Sequence, residues 1–163
     1  MINLIMHGDN KKTVIVAMDI DDFLTTMEVR DLLKSGCLDP VHHTEKHFLK
    51  AEFKHNDHDY SVDNLMTPGT IEFLRFLFDH DFIRPAFFSA GIRSRNLDLG
   101  KKMVQTAIDA GGDDSWMDRY DVYSREDCFD TDRLEHMTAD REITEKYQPP
   151  HFFGNYKKDL RVI

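Results

Sequence analysis

At 163 residues, with 40% hydrophobic and 31% charged side chains, the chain has the size and composition of one soluble globular domain, not of a disordered segment or a fibrous repeat. Thirty acidic against twenty-one basic residues give a formal charge of −9, which argues against nucleic-acid and polybasic membrane partners. No apolar run approaches the roughly 20 residues that span a bilayer, residues 1–6 are too short for a secretory leader, and Cys37 and Cys128 form no disulfide framework, so a reducing, cytoplasmic compartment is expected.

Residues 2–18 read as a strand pair turning at Gly8-Asp9-Asn10. From Val14 to Met18 the second arm is apolar without alternation, as in a strand covered on both faces of a parallel sheet. It stops on Asp19-Ile20-Asp21. In open α/β sheets reactive groups gather just past the carboxyl ends of the strands. Side chains two apart on an extended chain share a face, so Asp19 and Asp21 can converge on one ligand. Residues 25–36 are expected as a short helix stopped by Gly36. Residues 42–58 hold five of the nine histidines. His43-Thr44-Glu45-Lys46-His47 is not an H-E-x-x-H arrangement and neither cysteine has zinc-finger spacing, so a solvated, flexible segment is read there in preference to a zinc site. Residues 48–53 and 60–65, flanking Asn56-Asp57-His58-Asp59, read as a hairpin. The whole stretch 25–66 is expected as a small insertion over the site.

Thr67-Pro68-Gly69-Thr70 opens a helix through His80, with Ile71, Leu74, Leu77 and Phe78 at helical spacing and Thr67 or Thr70 as its cap. A buried strand over 84–88 follows, ended by Ser89-Ala90-Gly91. The next helix covers 96–110, with Leu97, Val104, Ala107 and Ile108 on one face and Gly111-Gly112 as its stop. Residues 120–123 make a third parallel strand, and 130–148 a charged surface helix ending before Pro149-Pro150. Strands alternating with helices at these distances imply βαβ units, hence an α/β fold with a Rossmann-like parallel sheet flanked by helices. Arg93, Arg95 and Arg125 suit either a phosphate or acidic peptide, or the plainer work of solvating a helix start and pairing with nearby acids.

In order along the chain, Asp19-Ile20-Asp21-Asp22-Phe23-Leu24 after an apolar strand resembles the first motif of the haloacid dehalogenase (HAD) superfamily. Ser89 at the second strand end resembles its second motif, and Lys158 within Gly154-Asn155-Tyr156-Lys157-Lys158-Asp159-Leu160 its third. Pro68-Gly69 with Glu72-Phe73-Leu74, and Arg125-Glu126 with Cys128-Phe129, are closer still to the FCP/SCP (NIF-like) protein phosphatases. The resemblance covers residues 14–160 and implies an HAD-like fold and Mg²⁺-dependent phosphomonoester hydrolysis through a phosphoaspartate. It implies Asp19 as nucleophile and Asp21 as acid–base. Ser89, the N–H groups of Ala90 and Gly91, and Lys158 become the phosphate donors. The metal is then held by the Asp19 carboxylate, the Asp21 main-chain carbonyl and an acid from a fourth motif.

These residue types suit that chemistry. Attack by a carboxylate divides hydrolysis into two easier steps, the leaving oxygen needs a proton, and charge spreading over the phosphoryl oxygens needs fixed donors and a cation. An acid at Asp21 also separates phosphatases from dehalogenases, which generally lack one there, and from ion-pumping ATPases, which carry threonine. Phe23 departs from the usual Thr or Val, and Cys128 to Gly154 is a longer interval than in the FCP/SCP group. No fourth-motif acid follows Lys158, and Asp113 and Asp114 precede the third strand, out of order. The acid is therefore expected beyond Ile163, where the apolar run Leu160-Arg161-Val162-Ile163 also suggests further sequence. A small insertion leaves the site open, so a phosphorylated protein or peptide side chain is the expected substrate. A small-molecule or nucleotide phosphatase and a catalytically silent phosphate-recognising module are the alternatives. More distantly, the unusual insertion and local sequence together resemble effector phosphatases that intracellular bacteria deliver into host cells.

Overall fold

The computed structural model describes residues 3–7, 13–26, 47–130 and 156–157. Strand β1 (Asn3–His7) pairs antiparallel with β2 (Thr13–Asp19), giving the expected strand pair, while the Gly8-Asp9-Asn10 turn lies outside the described residues. A tight loop and a strand pair follow: β3 (Thr25–Thr26), then β4 (Phe48–His55) and β5 (His58–Met66). Helix α1 (Thr70–Phe78) leads to β6 (Ile83–Phe88), and helix α2 (Arg93–Asp109) to β7 (Asp121–Tyr123). The main sheet is ordered β1-β2-β6-β7, with β2, β6 and β7 parallel. Asp19 stands opposite Phe88, and Phe88 opposite Tyr123. The three parallel strands therefore end in step, and Asp19, Ser89 and Ser124 leave the sheet along one edge.

The unbroken apolar run of β2 follows from burial on both faces. Val16 and Met18 join Phe87 and the apolar stripes of both helices in the main core, while Ile15 and Ala17 form a second cluster with Ala86 and Tyr123. Both described helices thus pack on the same face of the sheet. Phe78 of α1 stacks on Trp116 at 5.1 Å, within a 3₁₀ helix (Asp114–Asp118) capped by Asp113, whose carboxylate accepts from the Ser115 N–H at 2.8 Å. At the amino ends of the strands, Arg84 forks onto Asp121 and ties β6 to β7, a hydrogen bond that holds the guanidinium above its ordinary range. Among the described residues no helix is long and apolar enough to cross a membrane.

Three expectations change in detail. Thr25 and Thr26 are not helical. The Thr25 N–H and hydroxyl both bond to the Ile20 carbonyl, at 2.9 and 3.2 Å, and the two threonines pair with Met66 and Leu65; residues 27–46 lie outside the described part. Neither threonine caps α1. Its N-cap is Gly69, at φ 86°, and the hydroxyls of Thr67 and Thr70 donate instead to the carbonyls of Phe23 and Leu24. In α2, Leu97 is 49% exposed; the inward stripe is Arg95, Asn96, Leu99, Gly100, Met103, Val104, Ala107 and Ile108. Apart from Asp130, which ends β8 (Phe129–Asp130), the helix expected over 130–148 lies outside the described residues.

The hairpin is where it was expected, joined by Asn56-Asp57 with both φ values positive, 48° and 63°. That is the geometry two-residue hairpin turns require, and Asn and Asp tolerate it better than most residues. β4 lies at the edge of its three-stranded sheet. Side chains of α2 cover that edge at every second residue: the Ser94 hydroxyl donates to the Lys54 carbonyl at 3.0 Å, Asp98 accepts from the Glu52 N–H at 2.8 Å, and Lys102 donates to the Lys50 carbonyl at 2.6 Å. Four residues of helix rise about 6 Å and two residues of strand about 6.8 Å, so the two ladders stay in register over the three contacts. This part of the insertion is fastened to α2, which corrects the expectation of a loose, solvated segment.

Candidate active site

The site is built where β2, β6 and β7 end. After Asp19 the chain turns sharply: Asp22 takes φ 59°, and the N–H groups of Leu24 and Thr25 return to the Ile20 carbonyl. Thr67 and Thr70 pin the far side of this loop. The regular strand ends at Asp19, and Asp21 makes an isolated bridge to Thr25. The turn carries the Asp21 carboxylate to the end of β6.

There it meets two residues from distant parts of the chain. The Ser89 hydroxyl donates to Asp21 Oδ2 at 2.5 Å, and Arg95 forks onto the carboxylate, Nη2 to Oδ1 at 2.5 Å and Nη1 to Oδ2 at 3.2 Å. Both Asp21 oxygens are acceptors. The arginine is only 6% exposed, whereas the aspartate side chain is 32% exposed, so the pair has a buried cationic side and an anionic side open to solvent. Asp19, half-buried at the end of β2, lies one strand over from Ser89.

A second layer of buried polar groups holds this arrangement. Asn96, fully buried, donates through Nδ2 to the carbonyls of Ser89 and Gly91 and to the Ser124 hydroxyl, at 3.3, 3.2 and 3.1 Å. The Gly91 N–H donates to Ser89 Oγ at 2.9 Å. Asn64 of β5, also fully buried, approaches Arg95 Nη2 at 3.5 Å, which links the hairpin to the site. The remaining two arginines do structural work. Arg93 forks onto Asp127 at 2.8 Å to each oxygen, and Arg125 Nε donates to the Ala90 carbonyl at 3.0 Å.

No family model, curated protein or solved structure matches the chain. The assignment of roles therefore rests on its own residues. Of those singled out from the sequence, Asp21, Ser89, Ala90 and Gly91 form one connected cluster with Arg95, and Asp19 ends the adjacent strand. Lys158 lies outside the described residues; Tyr156 and Lys157 before it form β9 (Tyr156–Lys157), antiparallel to β8. Ser89 and Gly91 donate inside the cluster here, to Asp21 and to Ser89. Asp113 and Asp114 lie at the 3₁₀ helix beyond the far end of α2.

Asn64, Asn96 and Ser124 escaped the sequence reading, and Arg95 stood there as one of three equivalent arginines. One signal was available. Positions 95, 99, 103 and 107, and 96, 100, 104 and 108, follow the four-residue spacing of a buried helical stripe, so a cation and an amide at its amino end are inward-facing polar residues. A buried Arg is rare unless paired.

For a metal ion the donors are incomplete but chemically apt. Arg95 and Ser89 engage the Asp21 carboxylate; its main-chain carbonyl and the Asp19 carboxylate are oxygen donors of the kind that suits Mg²⁺. Among the described residues no group of three His, Cys, Asp or Glu side chains is placed to hold a metal. His55 and His58 face each other across the hairpin turn, and His42 and His43 lie outside the described part.

Proposed function

We propose that the chain is a phosphomonoester hydrolase of HAD type, working through a phosphoaspartate on phosphorylated side chains of protein or peptide. One observation carries the reading: Asp21 and Ser89, 68 residues apart, meet at 2.5 Å beside the strand end that bears Asp19. In the proposed reaction Asp19 forms a bond to phosphorus as the bond to the leaving oxygen breaks. That oxygen keeps the electron pair and takes a proton from Asp21. Water then attacks the phosphoaspartate and gives its proton to Asp21, the Asp19–phosphorus bond breaks, and inorganic phosphate leaves. Ser89, the N–H groups of Ala90 and Gly91, and Lys158 are the proposed donors to the phosphoryl oxygens. Mg²⁺, held by the Asp19 carboxylate and the Asp21 carbonyl, would supply positive charge to those oxygens when bound.

The expected result is hydrolysis of an aryl phosphate that needs Mg²⁺, stops with chelator and falls more than roughly a thousandfold in Asp19→Asn. Phosphopeptides should be turned over faster than sugar phosphates or nucleotides. The engagement of both Asp21 oxygens favours one other reading, a module that recognises phosphate without turning it over. Wild-type protein that binds phosphate but hydrolyses no phosphomonoester with Mg²⁺ present would establish that second reading.

A further inference from the structure

We propose that Arg95 is an oxyanion-binding residue held in reserve by Asp21: the carboxylate and an arriving phosphoryl group compete for one guanidinium, and the exchange releases Asp21 toward the leaving oxygen. This rests on reading the cluster as a phosphate site. A carboxylate engaged on both oxygens by a guanidinium fork is turned toward that cation and not toward a leaving oxygen. Asp21 is in that position, with Arg95 on Oδ1 and Ser89 and Arg95 on Oδ2. To act as an acid it must let go of both.

The guanidinium is under-used for a buried cation. Beyond Asp21, its partners among the described residues are the Asn96 amide oxygen at 3.3 Å and the Asn64 amide oxygen at 3.5 Å, both at or past the limit of a good N–H···O bond. Its Nε is shielded from solvent and has no hydrogen-bond partner among the described residues. Buried polar atoms are nearly always satisfied, and an exception asks for a reason. A fork with spare donors matches the several oxygens of a phosphate, and a dianion competes for it better than one carboxylate. Arg93 and Arg125 differ, one forked onto Asp127 and the other spent on a loop carbonyl.

The loop after β6 packs directly against both donors. A Cβ at Gly91 would lie 2.8 Å from Arg95 Nη1, 2.9 Å from Asn96 Oδ1 and 3.1 Å from Ser89 Oγ. Ser89 Oγ and Arg95 Nη1 already share one acceptor, Asp21 Oδ2, at 2.5 and 3.2 Å, so one anion oxygen in its place can reach both. The open side of the ion pair is Asp21, 32% exposed, so the anion arrives where the carboxylate must yield.

The test uses tungstate, an inert phosphate mimic, titrated calorimetrically into wild type, Asp21→Asn, Arg95→Gln and the double variant. Asparagine keeps one acceptor oxygen but drops the charge that competes for Arg95. Asp21→Asn should bind tungstate about tenfold tighter than wild type, and that gain should vanish in the Arg95→Gln background. An equal gain in both backgrounds would mean that only general repulsion was removed, and would overturn the proposal, as would no gain or no binding. Should Arg95→Gln fail to fold, the wild-type protein still decides: the Arg95 Nε–H resonance, assigned through its own side-chain carbons, should move on adding tungstate, and an unmoved resonance refutes the idea. None of these readouts requires turnover. Coupling without hydrolysis would sink the phosphatase reading alone, and Mg²⁺-dependent hydrolysis without coupling would sink this inference alone.

Discussion

Gly91→Ala is the smallest change that strikes the whole cluster. Gly91 does not use a positive φ, so alanine can adopt its backbone, and the cost comes from contact alone. The added methyl would meet Arg95 Nη1, Asn96 Oδ1 and Ser89 Oγ at 2.8, 2.9 and 3.1 Å. None of the three can retreat cheaply. Asn96 and Ser89 are fully buried and Arg95 is 6% exposed. Asn96 is fixed by its three Nδ2 bonds, and Arg95 by its fork onto Asp21. Overpacking of this kind costs about 1–3 kcal/mol, and the lower chain entropy of alanine in the unfolded state returns about 0.4–1 kcal/mol. A net loss of about 1–2 kcal/mol is expected, which lowers the urea midpoint by about 0.5–1 M at an unchanged slope. Because Arg95 and Ser89, two of the displaced groups, are the proposed anion donors, tungstate affinity and any Mg²⁺-dependent phosphomonoester hydrolysis should fall as well. A variant with the wild-type midpoint and undiminished anion binding would refute the tight packing of loop, guanidinium and amide.

Asp98→Ala removes the acceptor of the Glu52 N–H and the partner of Lys102, which lies 2.9 Å away. It should cost about 1 kcal/mol and speed amide hydrogen exchange at Glu52; unchanged protection there would contradict the edge cover provided by α2. Thr70→Val deletes the hydroxyl that donates to the Leu24 carbonyl at 3.2 Å while keeping shape. The loop carrying Asp21 should loosen, with about 1 kcal/mol lost, whereas Thr70→Ser retains the wild-type stability; equal behaviour of the two variants would count against it. Hydrogen bonds from Ser115 hold the Asp113 carboxyl below its ordinary range. A depressed folded value means the cap contributes above the unfolded value and is lost as pH falls through the folded one. The melting-temperature advantage of wild type over Asp113→Ala should thus be full at about pH 6 and shrink toward about pH 2, and an advantage that stays constant would show that the cap is not the charged form.

Much of the scaffold was legible because its causes are local. The apolar run before Asp19, the second run before Ser89, the Asn56-Asp57 turn and the Gly69 and Gly111 breaks each act over a few residues. The α1 stripe was also read correctly, since Ile71, Leu74, Leu77 and Phe78 repeat at helical spacing. Errors arose where a residue had two local options and a distant partner chose between them. Thr67 and Thr70 are good helix caps in isolation, yet the carbonyls of Phe23 and Leu24 lie within reach and take their hydroxyls. Thr25 follows a loop that a helix can continue, yet β5 offers it a strand partner. In α2 the misjudged face came from giving Leu97 the inward position, which the stripe from Leu99 to Ile108 assigns to Arg95 and Asn96.

The sequence by itself determined that Asp19 and Ser89 close apolar strands and that Asp21 follows within one turn, because runs, breaks and spacing are properties of neighbouring residues. Only the tertiary structure decided which polar groups Asp21 meets. Its partners arrive from residues 68 and 74 positions away, and which of three nearby arginines turns inward depends on how α2 packs against the sheet and the hairpin. Burial then makes the choice matter, since a cation shut away from water must find its acceptors within the fold or in what the fold binds.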